Sequence, residues 1–125
     1  MLLRNYLKLF RQALEKLENY GYTESIEIKE EIRPNKQAII KAKTIFINRS
    51  VLYIKEYIHA KYKIEKVSYA YQYQDKDGEL IFRYDNAIHR PALGFKEHKH
   101  TKGGLIIEAS PPDISGIMDE VIGFL

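Results

Sequence analysis

Apolar residues near the N-terminus recur at alternating steps of four and three: Leu3, Leu7, Phe10, Leu14 and Leu17. That spacing lines one stripe of an amphipathic helix over residues 1–21, and Gly21 supplies a left-handed stop. Beyond Tyr22 the period shortens to two. Ile26 and Ile28 alternate with polar residues, and Ala38, Ile40, Ala42, Thr44 and Phe46 face away from Ile39, Ile45 and Ile47, as successive side chains do on a strand. Turn residues divide the strands at Arg33-Pro34-Asn35-Lys36, Asn48-Arg49-Ser50 and His59-Ala60-Lys61. Asp75-Lys76-Asp77-Gly78 reads as a hairpin turn between segments 67–74 and 79–84. These connections are too short for crossovers, so neighbouring strands run antiparallel.

The alternation fails over residues 85–104 and returns in Leu105 to Ala109. After Ser110-Pro111-Pro112-Asp113, helical spacing reappears over 111–125, with Ile114, Ile117, Met118, Val121, Ile122 and Leu125 on one face. The chain therefore reads as one α+β domain over 1–125. An antiparallel meander of about five to six strands spans 22–109, and a helix from each end packs on it. An aperiodic stretch of some 20 residues is long for a compact domain, and such loops commonly carry function.

Composition sharpens this reading. Hydrophobic residues make up 45% and aromatic residues 12%, enough to build a core and to exclude wholesale disorder. There is no cysteine, which removes disulfides, thiolate zinc sites and a Cys nucleophile. Arg4, Lys8 and Arg11 interrupt the N-terminal apolar stretch, and no later run reaches the roughly 18 apolar residues of a membrane span. The expectation is a cytoplasmic protein without a membrane partner. The formal net charge is only +3, but all of it falls between Arg83 and Lys102, where five basic residues meet two acidic ones. His89, His98 and His100, three of the four histidines, lie in the same window.

The segment from Lys66 to His100, KVSYAYQYQDKDGELIFRYDNAIHRPALGFKEHKH, resembles the TumE family of toxins of toxin-antitoxin systems. The resemblance covers about residues 37–122. It rests on Tyr69, Tyr71, Arg83, Tyr84, Asp85, Asn86, Ala87, His89, Pro91, Phe95, His98, Lys99 and His100. Arg90 stands where a second histidine is usual, and Lys96-Glu97 replaces Pro-His ahead of His98. The resemblance implies a toxin with a cognate antitoxin, a short helix-turn-helix protein encoded beside it. A homodimer is left open.

The residues suggest a chemistry of their own. His98 and His100, two apart, point to one side of an extended segment, where His89 and Asp85 could join them. Imidazole has an ordinary pKa of about 6.5, so neighbouring rings can act as base and acid in cutting RNA. On this reading His89, His98, His100, Tyr84 and Asp85 are the catalytic candidates. Arg83, Arg90 and Lys99 would contact phosphate, and Tyr69 and Tyr71 would offer faces to bases. Lys29, Glu30, Glu31, Lys41 and Lys43 read as solvated strand faces, with Lys41 and Lys43 able to extend a phosphate-binding surface. No cofactor is expected, since the local excess of Lys and Arg opposes a dication. Two alternatives stand beside this one: a non-catalytic nucleic-acid or protein binding module, and a metal-dependent hydrolase built on His-x-His.

Overall fold

The computed structural model describes residues 1–87 and 95–125. Helix α1 (Leu3–Asn19) is followed by β1 (Thr23–Arg33), β2 (Gln37–Phe46), β3 (Val51–His59), β4 (Glu65–Gln74) and β5 (Leu80–Asp85). Strands β6 (His98–Thr101) and β7 (Ile106–Glu108) and helix α2 (Ile114–Ile122) complete the order. The strands lie in one sheet in sequence order, each antiparallel to the next. The α+β meander with a helix at each end is as expected, but among the described residues the sheet has seven strands rather than five or six. The extra strand is β6, inside the aperiodic stretch. Its residues, His-Lys-His-Thr, are all polar, so no apolar alternation announces it.

Local chemistry sets the turns. Gly21 adopts φ +77°; its N–H bonds the Glu18 carbonyl and that of Tyr22 the Leu17 carbonyl, which closes α1 with a left-handed cap. Asn35 and Lys36 take positive φ between β1 and β2, the backbone that a tight hairpin needs. In the next hairpin Asp75 Oδ1 accepts from the N–H groups of Asp77 and Glu79, while Gly78 takes φ +82°. Asp113 caps α2 by accepting from Gly116 N–H at 2.7 Å.

Both helices cover one side of the sheet. Leu7, Phe10, Leu14 and Leu17 of α1 and Ile117, Met118 and Val121 of α2 are buried against Ile40, Phe46, Leu52, Ile58, Tyr71 and Phe82. Burying each large apolar side chain contributes about 1.5–3 kcal/mol. One charge lies within this core. Glu56 on β3 is fully buried and accepts from the hydroxyls of Tyr6 on α1 and Tyr71 on β4. Lys66 Nζ stands 3.5 Å from the same carboxylate and donates to the Tyr71 hydroxyl at 2.6 Å and the Pro112 carbonyl at 3.0 Å. Burial, then the charge of Glu56, holds both tyrosine hydroxyls above their ordinary pKa, so they stay protonated and donate. The network ties β3 and β4 to α1 and to the segment that leads into α2.

Removing the cation should expose the cost of this buried carboxylate. Lys66→Met should lower unfolding stability by about 3 kcal/mol, seen as a lower urea midpoint with unchanged m. An unchanged midpoint would show that the two hydroxyls alone compensate Glu56.

Candidate active site

Among the described residues no helix lies on the other face of the sheet, and the register brings the site together there. Between β5 and β6, Arg83 lies opposite His100 and Asp85 opposite His98. Because side chains alternate, these four point to the open face while the intervening Tyr84 and Lys99 point to α2.

Asp85 is the hub. Its Oδ1 lies 2.7 Å from His98 Nε2 and accepts from Ala87 N–H at 3.0 Å. Its Oδ2 accepts from Arg83 Nε at 2.7 Å and lies 3.6 Å from His100 Nε2. Burial pushes the Asp85 carboxyl up, but the Arg83 and Ala87 hydrogen bonds and the His98 and Arg83 charges outweigh it, holding the group below the usual carboxylate range. Arg83 Nη1 also donates to Gln72 Oε1 at 2.7 Å, so the guanidinium is held from two sides. Asn86 locks the end of β5 by accepting from Tyr69 N–H and donating to the Val67 carbonyl.

The two imidazoles differ. His98 is fully buried, and its Nδ1 is 2.9 Å from the Lys96 carbonyl oxygen, which only accepts; that partner assigns a hydrogen to Nδ1. Its ring is therefore fixed between Asp85 and the backbone. His100 keeps 22% of its side chain exposed and meets His98 edge-on, with ring centroids 5.0 Å apart. Ligand atoms of Asp85, His98 and His100 all lie within 4.8 Å of one another. Two imidazoles and a carboxylate suit a divalent ion, and the carbonyl behind His98 is the kind of support that metal-binding histidines use. The Arg83 guanidinium on Asp85 opposes it.

Four expected site residues lie elsewhere. Tyr84 donates to Glu120 of α2 at 2.5 Å, and Lys99 Nζ, 3.1 Å from the same carboxylate, lies over the Tyr84 ring. Both belong to the helix side of the sheet, across from Asp85. Tyr69 and Tyr71 are 4% and 0% exposed and stack on each other in the core, so neither ring face is available to a base. The cause is parity, which sends positions 69, 71, 84 and 99 to the covered side. His89 and Arg90 lie outside the described residues.

The open face adds residues that the histidine window does not include. Lys29, Lys41 and Lys55 stand directly opposite one another on β1, β2 and β3, and Tyr53 lies beside them, 39% exposed. Period two over 51–59 is the signal that could have found Tyr53 and Lys55.

A sheet covered by helices on one face and bearing a carboxylate, imidazole and guanidinium cluster on the other defines a small α+β protein with a polar site. The chain belongs to the TumE family: the family model described as Toxin TumE matches residues 8–125. It is thus a toxin of a toxin-antitoxin system, with a cognate antitoxin as partner. No curated protein and no solved structure matches it. Among the described residues no helix is long and apolar enough to cross a membrane.

The depressed Asp85 pKa fixes a pH dependence. Its stabilising contribution is complete above the unfolded value of about 3.9 and is lost as pH falls through the lower folded value. Asp85→Asn should therefore be roughly 3 kcal/mol less stable than the parent at pH 7, with the gap closing below about pH 4. Denaturant titrations at stepped pH measure it; a gap that widens in acid would overturn the assignment.

Proposed function

We propose that this toxin acts in the cytoplasm by cutting single-stranded RNA at the cluster of Arg83, Asp85, His98 and His100, without a metal ion. The observation that carries the reading is His100. It is a partly exposed imidazole beside a carboxylate held ionised and directly opposite a guanidinium.

In this reading His100 accepts the 2′-OH proton as the 2′ oxygen attacks the adjacent phosphorus. The bond from phosphorus to the 5′ oxygen breaks, and the proton held on the ring passes to that departing oxygen. The products are a 2′,3′-cyclic phosphate and a 5′-OH end, with no co-reactant consumed. Asp85 orients and stabilises the charged ring, and the N–H groups of Arg83 not used by Asp85 and Gln72 face the charge that builds on the phosphate. His98 is a positioning residue, since both of its nitrogens are engaged by Asp85 and Lys96. The antitoxin, as a short helix-turn-helix protein, would silence the toxin by covering this face.

The three clustered ligand atoms favour one second reading, a metal-assisted hydrolase on the same residues. Chelation separates the two.

Purified protein should cut single-stranded RNA in EDTA and leave cyclic phosphate ends. His100→Ala should slow cleavage by about 10²- to 10⁴-fold with an unchanged circular dichroism spectrum. Loss of activity in EDTA, restored by one divalent ion, would establish the metal reading instead. Salt-sensitive RNA binding without turnover would leave a binding module.

A further inference from the structure

Beyond the Asp85 cluster, the open face holds a row of positive charge. Following the register across the sheet, Lys29 faces Lys41, Lys41 faces Lys55, Lys55 faces Ala70, Ala70 faces Asp85, and Asp85 faces His98. Like charges directly opposite on neighbouring strands destabilise a sheet. All three lysines are exposed, and none of them forms an ion pair or side-chain hydrogen bond among the described residues. Three aligned cations, with Glu27 the one carboxylate in the same trough, leave an excess of positive charge that is costly to the free protein and favourable to a polyanion.

The row also leads somewhere. A trough of about 610 Å³ runs over Lys29, Lys41, Lys43, Tyr53, Lys55 and Arg83, with Glu27 as its one acidic lining residue. A second depression, over Asp85, Asn86 and Lys96, shares Lys55, Ala70 and Arg83 with it, so the two are continuous. Ala70 contributes no bulk between Lys55 and Asp85. With strands about 4.8 Å apart, Lys29 to Asp85 spans roughly 19 Å, the length of about five stacked nucleotides. In the neighbouring row Tyr53 is the exposed aromatic, with Lys43 Nζ 5.7 Å from its ring centroid. A phosphate-neutralising row with an aromatic face beside it is how sheet surfaces hold single strands.

We infer that the open face is a track for single-stranded RNA, with Lys29, Lys41 and Lys55 on the phosphates and Tyr53 under a base, delivering the strand to Asp85 and His100. The choice of RNA among polyanions rests on the cleavage reading above. An acidic protein segment would satisfy the charge but gains nothing from Tyr53, and duplex RNA presents no unstacked base to it.

Binding of a labelled 12-nucleotide RNA to the full chain carrying His100→Ala, in EDTA, tests this independently of cleavage. Lys29→Gln/Lys41→Gln/Lys55→Gln should weaken binding at least tenfold and flatten the slope of log affinity against log salt by about two. Arg4→Gln/Lys8→Gln/Lys16→Gln, equally exposed but on α1 across the sheet, should not. Tyr53→Ala should cost about 1 kcal/mol of affinity, roughly fivefold, and leave the salt slope alone. Lys41→Gln alone, a milder change, should weaken binding if the triple variant fails to fold. Equal binding by the triple variant, an equal loss in the control, or equally lysine-dependent capture of polyglutamate or duplex RNA would overturn the track. Lysine-dependent binding with no cleavage by the parent chain sinks only the catalytic reading. Cleavage with lysine-independent binding sinks only the track.

Discussion

Strand alternation governs this molecule. Among the described residues, seven antiparallel strands, their register shifted locally at Thr23/Ser25, Tyr57/Ile58 and Tyr73/Gln74, turn alternate side chains to one side, and both helices cover that side. A one-residue slip of β5 would exchange core and site together, because Phe82 lies in the core while Arg83 and Asp85 build the cluster. The strength of that constraint comes from the covered face. Setting Tyr71 or Phe82 in water would forfeit a few kcal/mol each, so the apolar set locks the register and the polar face follows without needing stability of its own.

Two buried carboxylates, one on each side of the sheet, show how differently a charge can be retained. Glu56 sits among apolar groups and is neutralised by two hydroxyls and Lys66, an arrangement that joins helices to strands. Asp85 is equally enclosed but is met by Arg83, a backbone N–H and two imidazoles, one of them partly open to solvent. The first network is closed and structural. The second leaves the side chains of His100 and Arg83 partly exposed. The lysine row on the same face runs against sheet stability, and strain of that kind is retained where a function uses it.

Much of the candidate site was legible in the chain. The net charge and histidine concentrated between residues 83 and 102 pointed to the segment where Arg83, Asp85, His98 and His100 come together, and the two-residue step between His98 and His100 put them on one side. The residues placed away from the cluster share a cause. Tyr69, Tyr71, Tyr84 and Lys99 lie in the motif that carries the family resemblance, yet a motif lists neighbours along the chain and does not distinguish faces. Assigning them required knowing which face the helices cover. Strand β6 was hidden because four polar residues carry no amphipathic signal; it forms through backbone pairing between β5 and β7.

By itself the sequence determined the order and type of elements, because period and turn chemistry are local properties read over a few residues. It also determined the composition of the histidine-rich, basic segment. The tertiary structure alone decided which histidine is enclosed and which is open, that Asp85 joins them to Arg83, and that lysines from three separate strands stand in one row. Those relations depend on register between segments distant in the chain, and register is set by the packing of the whole covered face.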